Sequence, residues 1–439
     1  MSNHSFAGGI HPPYRKTTAQ QPLERATDPA KVIIPLQQHA GGPCQPLVKV
    51  GDLVKVGQKI GEAQGFISAP VHASVSGKVT AIAPHDHPAG GKVMAIVIES
   101  DGQNELAEEV KPRGDVDSLS ADAIRQIVRE AGIVGLGGAA FPTQVKLSPP
   151  PEKKIDTFLL NGAECEPYIT CDHRLMVEQP DEVVCGLRAL MKAIGVSQAL
   201  ICVEDNKPDA AQALREAAKA YPGIGVMVLH TKYPQGSEKQ MIKAALGREV
   251  PSGGLPMDVG VVVSNVGTAV AVARAIKEGL PLVERAVTVT GSGIKNPRNL
   301  VVKVGTPFSD LIEQCGGLTE TTAKVINGGP MMGIAQHTVD VPVVKGTSCI
   351  LALDEKDVRI EPAGACIKCA RCADACPMQL VPLFLRTYSD KGMWAEAEQA
   401  NAMDCIECGS CSYVCPARLP LVHSIRLAKI QIRARKQKK

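Results

Sequence analysis

No stretch of this chain is long and apolar enough to cross a bilayer. The nearest approach, "VGVVVSNVGTAVAVA" at 259–273, is short and carries Ser264, Asn265 and Thr268. It reads as a buried strand, a loop and a helix start. The opening "MSNHSFAGGIHPPYRK" has no apolar segment of the kind an export signal needs. A large charge of one sign is missing too: 48 basic against 45 acidic residues leave +3. That is too little to attract nucleic acid, which is excluded as a partner. The one local excess is a basic tail, 426–439, where Arg426, Lys429, Arg433, Arg435, Lys436, Lys438 and Lys439 meet no acid. It reads as a solvated helix end, or as contact with an anionic membrane surface or an acidic partner. With 44% hydrophobic and 21% charged residues, the composition is that of a soluble globular protein. Fifteen cysteines without an export signal point to reduced thiols or metal ligands rather than disulfides.

A chain of 439 residues exceeds one core and implies several domains. Residues 1–28 are polar and read as an arm. Over 29–103, short β-branched runs alternate with glycine turns, the pattern of a small all-β domain. Its "VKVGD"–"VKVGQ" repeat suggests two similar strands joined by a tight turn. An acidic linker leads to "SADAIRQIVREAG", a helix with Ser120 as cap and Ile124, Ile127, Val128 and Ala131 as its apolar stripe. From there to 283, apolar runs alternate with helical patterns, as in an α/β layer with a mostly parallel sheet. Residues 284–330 suggest a β-rich module with one helix, and 339–353 add two short strands.

The chemistry is densest at 364–425. "CIKCARCADACP" (366–377) and "CIECGSCSYVCP" (405–416) share the spacing C-x2-C-x2-C-x3-C-P. Structural zinc prefers two cysteine pairs separated by a longer loop. Three cysteines at every third residue instead wrap the chain around a compact cluster, and the fourth, before proline, ligates the neighbouring cluster. This assigns Cys366, Cys369, Cys372 and Cys415 to one [4Fe–4S] cluster and Cys376, Cys405, Cys408 and Cys411 to a second. The other seven cysteines (44, 165, 171, 185, 202, 315 and 349) lack ligand spacing and read as reduced thiols. His85 and His87 sit in "APHDHPAGG", which reads as a surface loop.

Paired clusters pass single electrons and need a donor. The glycine loop "GIVGLGGAAFP" (132–142) follows a helix and runs into Phe-Pro, so it is not the dinucleotide fingerprint. Its backbone N–H groups could still approach a phosphate, with Lys146 adding charge. "NGAECEPYITCDHR" (161–174) follows the predicted strand "IDTFLL". Ligands of open α/β sheets sit beyond the carboxyl ends of strands, where Asn161, Glu164 and Glu166 would meet them.

At this point the residues resemble a known family. "GGIHPP", "PVHASVSGKVTAIAPH", "GLGGAAFPTQVKL", "NGAECEPYITCDHRLM", "TKYPQGSEKQ", "GREVPSGG", "SNVGTA" and the paired cysteine runs look like the RnfC subunit of the Rnf (or Rsx) ion-translocating electron transport complex. That subunit is in turn similar to the flavin- and NADH-binding subunit of respiratory complex I. The resemblance implies a multidomain α/β chain. A barrel-sandwich hybrid spans 29–103 and a flavin/NADH α/β domain 119–283. A soluble-ligand-binding β-grasp module with following strands spans 284–353, and a helical dicluster ferredoxin domain 364–425. It implies FMN held by Gly135, Gly137 and Gly138 with Lys146, Asn161 and Glu164. It also implies NADH near Glu166 and Phe141, with Tyr233, Gly236 and Asn265 lining the site. Where the complex I relative has an arginine in the glycine loop, this chain has Leu136; Ala140 replaces a glycine, and Ser264 and Gly267 replace polar residues. The barrel hairpin "EAQGFISAPVHASVSG" holds no lysine to carry lipoate or biotin.

The expected function follows. Nicotinamide exchanges two electrons together and a cluster one, so a flavin belongs between them. The chain is expected to be the NADH-side subunit of an ion-translocating NAD/ferredoxin oxidoreductase, a translocase, with no acid–base catalytic residue of its own. It would be peripheral, on the cytoplasmic face of the bacterial inner membrane. Its partners would be NADH, ferredoxin and the other subunits of the complex. The alternatives are a flavin-free relay scaffold and a soluble flavin/iron–sulfur reductase for another acceptor.

Overall fold

A computed structural model describes residues 4–358 and 361–437. Lys438 and Lys439 of the expected basic tail, and the first three residues of the expected arm, lie outside them.

The all-β domain stacks two antiparallel sheets. One runs in the order Lys31–Pro35, Lys92–Ser100, Gly77–Asp86, Leu53–Val54, and the other Gln45–Pro46, Lys59–Glu62, Val71–His72. Alternate residues such as Val32, Ile34, Ile60, Val71, Ile96 and Ile98 point between them and are fully or almost fully buried. The "VKVG" repeat builds two like turns rather than two like strands. Asp52 N–H donates to Lys49 O and Gln58 N–H to Lys55 O, each at 3.1 Å, with Gly51 and Gly57 at φ +101° and +84°. Those angles are open to glycine and costly for other residues. The histidine segment is also more ordered than expected: His85 lies in the long strand Gly77–Asp86, at the tip of its hairpin.

The α/β domain begins with helix α1 (Ala121–Glu130), whose Ser120 Oγ accepts Ala123 N–H at 3.1 Å. Helices α2 (Thr143–Lys146), α3 (Cys171–Glu178), α4 (Pro180–Ile194), α5 (Pro208–Ala218), α6 (Glu238–Leu246) and α7 (Val266–Lys277) follow. The parallel sheet is ordered Ile224–Leu229, Ala199–Glu204, Thr157–Gly162, Val261–Asn265. Side chains alternate across it. Phe158, Leu160, Ile201, Val203 and Val262 face the layer of α4, α5 and α7, while Leu159, Cys202, Val261 and Val263 face α6. Numbered along the chain the order is third, second, first, fourth, so the winding reverses between Thr157–Gly162 and Val261–Asn265. That reversal opens a crevice at the carboxyl ends of those two strands.

The β-grasp module wraps a six-stranded mixed sheet around α8 (Phe308–Gln314). Of the two strands expected over 339–353, one forms, as Cys349–Asp354; the other segment makes only the isolated bridge Pro307–Pro342. The edge of this sheet comes from the expected arm: Leu23–Arg25 pairs in parallel with Arg298–Lys303. The arm is thus a packed strap, and Ile10 exchanges two backbone hydrogen bonds with Tyr233.

The ferredoxin region carries α9 (Arg371–Asp374), α10 (Pro382–Asp390), α11 (Trp394–Gln399), α12 (Ser410–Tyr413) and α13 (Leu421–Gln437). Buried Ile425, Ala428 and Ile432 seat α13 on Leu385 and Ala397. Most of the basic tail is therefore a docked helix. Lys429 Nζ reaches Glu407 at 2.6 Å, Arg426 Nε reaches Glu407 at 2.7 Å and Lys436 reaches Glu398 at 2.6 Å. Among the described residues no helix is long and apolar enough to cross a membrane.

Candidate functional site

The glycine loop is pinched at its neck and open at its tip. Gly135 N–H donates to Phe141 O at 2.8 Å and Thr143 N–H to Ile133 O at 3.0 Å, while Gly137, Gly138 and Ala139 stand exposed. Gly137 lies directly on Asn265, where a Cβ would come within 2.7 Å of the side-chain nitrogen; at Gly138 a Cβ would meet open space. Here is a cradle with almost no side chain on it, the arrangement that lets backbone N–H groups approach a phosphate or ring. Two departures from the complex I pattern find physical meanings. Leu136 is buried, and its N–H donates to Thr268 Oγ1 at 3.0 Å, so it serves the core. The guanidinium of buried Arg285 lies behind it, 3.5 Å from Leu136 O, so a positive charge still backs the loop. Ala140 has φ +50°, a region that favours the glycine it replaces.

Across the crevice, Asn161 and Asn265 are register partners in neighbouring strands. Asn161 donates to Gly236 O at 2.8 Å and accepts Ala163 N–H at 3.0 Å. Gly236 N–H in turn donates to Cys165 Sγ at 3.3 Å. Asn265 caps α7 by accepting Gly267 N–H at 2.8 Å and donates to Asp172 at 2.6 Å. Lys146 reaches Val263 O at 3.1 Å and Glu238 at 2.9 Å, at the mouth of the same crevice.

The acidic loop 163–170 divides its work. Both Glu164 oxygens cap helix α3, accepting Asp172 N–H at 2.8 Å and His173 N–H at 3.3 Å. These are the orphan donors of a helix start, where negative charge is favoured. Glu164, expected beside a flavin, has its carboxylate on the start of α3. Asp172, beside it, is pushed up to about 7, by burial first and then by the Glu164 charge. Glu166 accepts Met331 N–H at 3.2 Å and Met332 N–H at 2.8 Å, and burial pushes its carboxyl up to about 7. Phe141 is half-buried at the neck of the glycine loop. Tyr233, expected to line an NADH site, is instead fully enclosed, its OH donating to Cys408 O at 2.7 Å. Sequence spacing could not reveal that partner, which is 175 residues away.

That bond leads to the cysteines. Cys376, Cys405, Cys408 and Cys411 line one cavity with about 320 Å³ of open space, and Cys366, Cys369, Cys372 and Cys415 line another of about 360 Å³. Each thus collects three sulfurs of one run and the pre-proline sulfur of the other. Soft sulfur donors in fours are the set that iron–sulfur clusters take. The inner cavity abuts the α/β domain: Cys408 packs with Cys165, Tyr233 and Ile10. Gln240 donates to Pro377 O at 3.1 Å across the same boundary. The outer cavity is peripheral, with Cys366 and Cys369 exposed and Ile367 68% exposed between them. Four residues that the sequence did not single out belong to this neighbourhood: Lys16, Asp172, Glu238 and Arg285. Asp172 and Glu238 lie inside quoted motifs, whereas Lys16 and Arg285 carry no local signal.

Comparison with known proteins agrees with this layout. Family models match the RnfC barrel sandwich hybrid domain over 4–103, the Nuo51 FMN-binding domain over 128–274, the SLBB domain over 286–335 and a 4Fe-4S dicluster domain over 365–419. The chain is 54% identical over 439 residues to the RnfC subunit of the Na(+)-translocating ferredoxin:NAD(+) oxidoreductase complex of Acetobacterium woodii, covering 100% of this chain and 99% of the relative. It is 51% identical to the RnfC subunit of the proton-translocating ferredoxin:NAD(+) oxidoreductase complex of Clostridium ljungdahlii, over 98% of this chain and 94% of the relative. The RnfC subunit of the ion-translocating oxidoreductase complex of Rhodobacter capsulatus is 43% identical, over 100% and 85%. Among solved structures, an air-oxidized NAD+-reducing [NiFe]-hydrogenase shares the fold with TM-score 0.50 at 18% identity, over 72% of this chain and 69% of that one. The chain therefore belongs to the RnfC family, whose members are subunits of the ion-translocating ferredoxin:NAD(+) oxidoreductase, or Rnf, complexes.

Proposed function

We propose that this chain is the NADH-side electron-transfer subunit of such a complex. It exchanges electrons between NAD(H) and a ferredoxin-side membrane partner through FMN and two [4Fe–4S] clusters, peripheral on the cytoplasmic face of the membrane. Ion translocation belongs to partner subunits of this translocase. The observation that carries the reading is the continuity from the crevice to the inner cysteine cavity, closed by the 2.7 Å bond from Tyr233 to Cys408 O.

FMN, when bound, supplies the conversion between two-electron and one-electron transfer. The protein's own residues do the rest. The exposed backbone of Gly137 and Gly138, with Gly135 fixing the neck, holds the cofactor, and Lys146 adds positive charge at the crevice mouth. Asn161 and Asn265 set the two strand ends, and Gly236 tightens the loop above them. Glu166 and Phe141 border the nicotinamide side. Cys376, Cys405, Cys408 and Cys411 hold the inner cluster, close to the crevice. Cys366, Cys369, Cys372 and Cys415 hold the outer one, on the face open to a protein partner. Burial pushes Cys405 up to about 11 and Cys411 to about 12, and binding of a metal centre releases the thiol protons.

Cofactor content of the full chain purified anaerobically tests this reading. It requires about eight irons per chain, as two clusters contain, together with extractable FMN. Iron without FMN would favour the relay scaffold, and zinc in place of iron would end the electron-transfer reading.

A further inference from the structure

The acidic loop contains a strained residue. Tyr168 has φ +70°, a conformation that bulky side chains adopt only when their surroundings impose it. The surroundings here are the N-terminal strap. Tyr168 N–H donates to Tyr14 O at 2.8 Å, Arg15 donates to Tyr168 OH at 2.8 Å, and Thr18 Oγ1 lies 2.6 Å from Thr170 Oγ1. Between these contacts Lys16 is driven under the loop. Its Nζ donates to Glu164 O at 2.8 Å, Ile169 O at 2.5 Å and Glu166 O at 2.9 Å, and lies 4.0 Å from Glu164 Oε2.

The three carbonyls decide its charge. An ammonium has three N–H donors and a neutral amine two, so three acceptors are satisfied only by the cation. A buried fixed charge interacts more strongly than one in water. Burial pushes this lysine down from its ordinary range, and the charged and titratable groups facing it are Glu164, Glu166, Asp172, Glu204, Lys207, Cys165 and Cys349. Lys207 is itself paired with Glu204 at 2.7 Å. Lys16 therefore lies as a cation directly beneath the backbone of Glu164 and Glu166, with the Glu164 carboxylate 4.0 Å away.

We propose that Lys16 is a positioning residue of the nucleotide site: it locks the strained loop 163–170 and presents a fixed positive charge that favours the reduced, anionic flavin over the oxidised one. The proposal rests on the reading that this loop borders bound FMN. Reduction of FMN by the hydride of NADH delivers two electrons and one proton together. It leaves one net negative charge on the ring, with NAD+ as the other product. A cation held nearby binds that product more tightly than the neutral starting ring.

The test uses the full chain, prepared anaerobically, with Lys16→Met and Lys16→Arg. Hydrogen exchange of the amides of 163–170 reads the lock without requiring flavin. In Lys16→Met it is expected to speed up at least about tenfold, the effect of losing roughly 1.4 kcal/mol of local stability, while iron content stays at the parent value. Flavin potentiometry reads the charge. A tenfold loss in the preference for reduced FMN lowers the two-electron potential by about 30 mV. Lys16→Arg, which keeps the charge, should hold the potential within a third of that shift. Parent-like exchange in Lys16→Met overturns the lock. A parent-like potential in Lys16→Met, or an equal fall in both variants, overturns the charge role. If Lys16→Met retains no flavin, Lys16→Gln, equally neutral but polar, takes its place in the potentiometry and is judged by the same shift. A parent chain that binds no FMN refutes the flavin reading itself, and the exchange experiment still judges the lock.

Discussion

Replacing Glu166 by glutamine gives a prediction whose size can be worked from the structure. The carboxyl accepts Met331 and Met332 N–H groups at 3.2 and 2.8 Å, yet burial outweighs those bonds and raises it from 4.5 to about 7. A displacement of that size is roughly 3 kcal/mol of preference for the neutral form. The sign follows from proton linkage. Below about pH 4.5 the group is protonated in both folded and unfolded chains and adds no pH dependence. Between about 4.5 and 7 the unfolded chain releases the proton and the folded chain keeps it, so stability falls as pH rises. Above that window the loss is complete. The amide of Glu166→Gln stays neutral throughout but accepts through one oxygen, forgoing one backbone bond at about 1 kcal/mol. The variant should therefore be about 2 kcal/mol more stable than the parent at pH 8 and no more stable at pH 4.5. For a chain of this size that is about 2 °C in the unfolding temperature. Infrared titration of the cluster-loaded, dinucleotide-free chain checks the cause: a carboxyl C=O band should vanish with a midpoint near 7 and be missing in the variant. A midpoint below 5, or a stability difference that does not change with pH, refutes the reasoning.

Other consequences can be checked separately. Gly137→Ala puts a methyl within 2.7 Å of the Asn265 amide, so FMN affinity should fall about tenfold in flavin titration, and Asn265→Ala in the same chain should recover part of the loss. Ala140→Gly relieves a φ of +50° and should raise thermal stability by about 1 kcal/mol. Tyr233→Phe removes the buried hydroxyl that donates to Cys408 O, which should cost about 1–2 kcal/mol by thermal unfolding while both clusters remain assembled by iron analysis. Cys415→Ala should lose the outer cluster and Cys376→Ala the inner one, each leaving about four irons per chain; loss from the opposite cavity, read by electron paramagnetic resonance, would contradict the crossed assignment.

The parts of this molecule visible in the sequence are those whose partners are close along the chain or whose chemistry demands a repeat. The cysteine runs are legible because cluster ligands recur at fixed local spacing, and the structure brings the crossed sets into two cavities. The α/β alternation is legible because the buried parts of parallel strands are apolar runs, as "FLL" and "VVV" are. The strap was not legible. "GGIHPPYRK" has neither periodicity nor apolar density, and its packing depends on Lys16 meeting carbonyls about 150 residues away. The side-chain partners of Tyr233 and Glu164 are not legible in the sequence. One was claimed by Cys408 O and the other by the start of α3, and such tertiary competition for a side chain leaves no trace in a local pattern. Leu136 reads as a lost arginine only until Arg285 appears behind the loop from another domain.

The central claim is that electrons entering at the crevice reach the cysteine cavities. The most direct measurement is the visible and electron paramagnetic resonance spectrum of the full chain, prepared anaerobically with its flavin and clusters, before and after NADH. The account requires the cluster absorbance to bleach and a reduced-cluster signal to rise within the mixing time of a stopped-flow experiment. Flavin and iron both present, NADH bound, and the clusters still oxidised would contradict it.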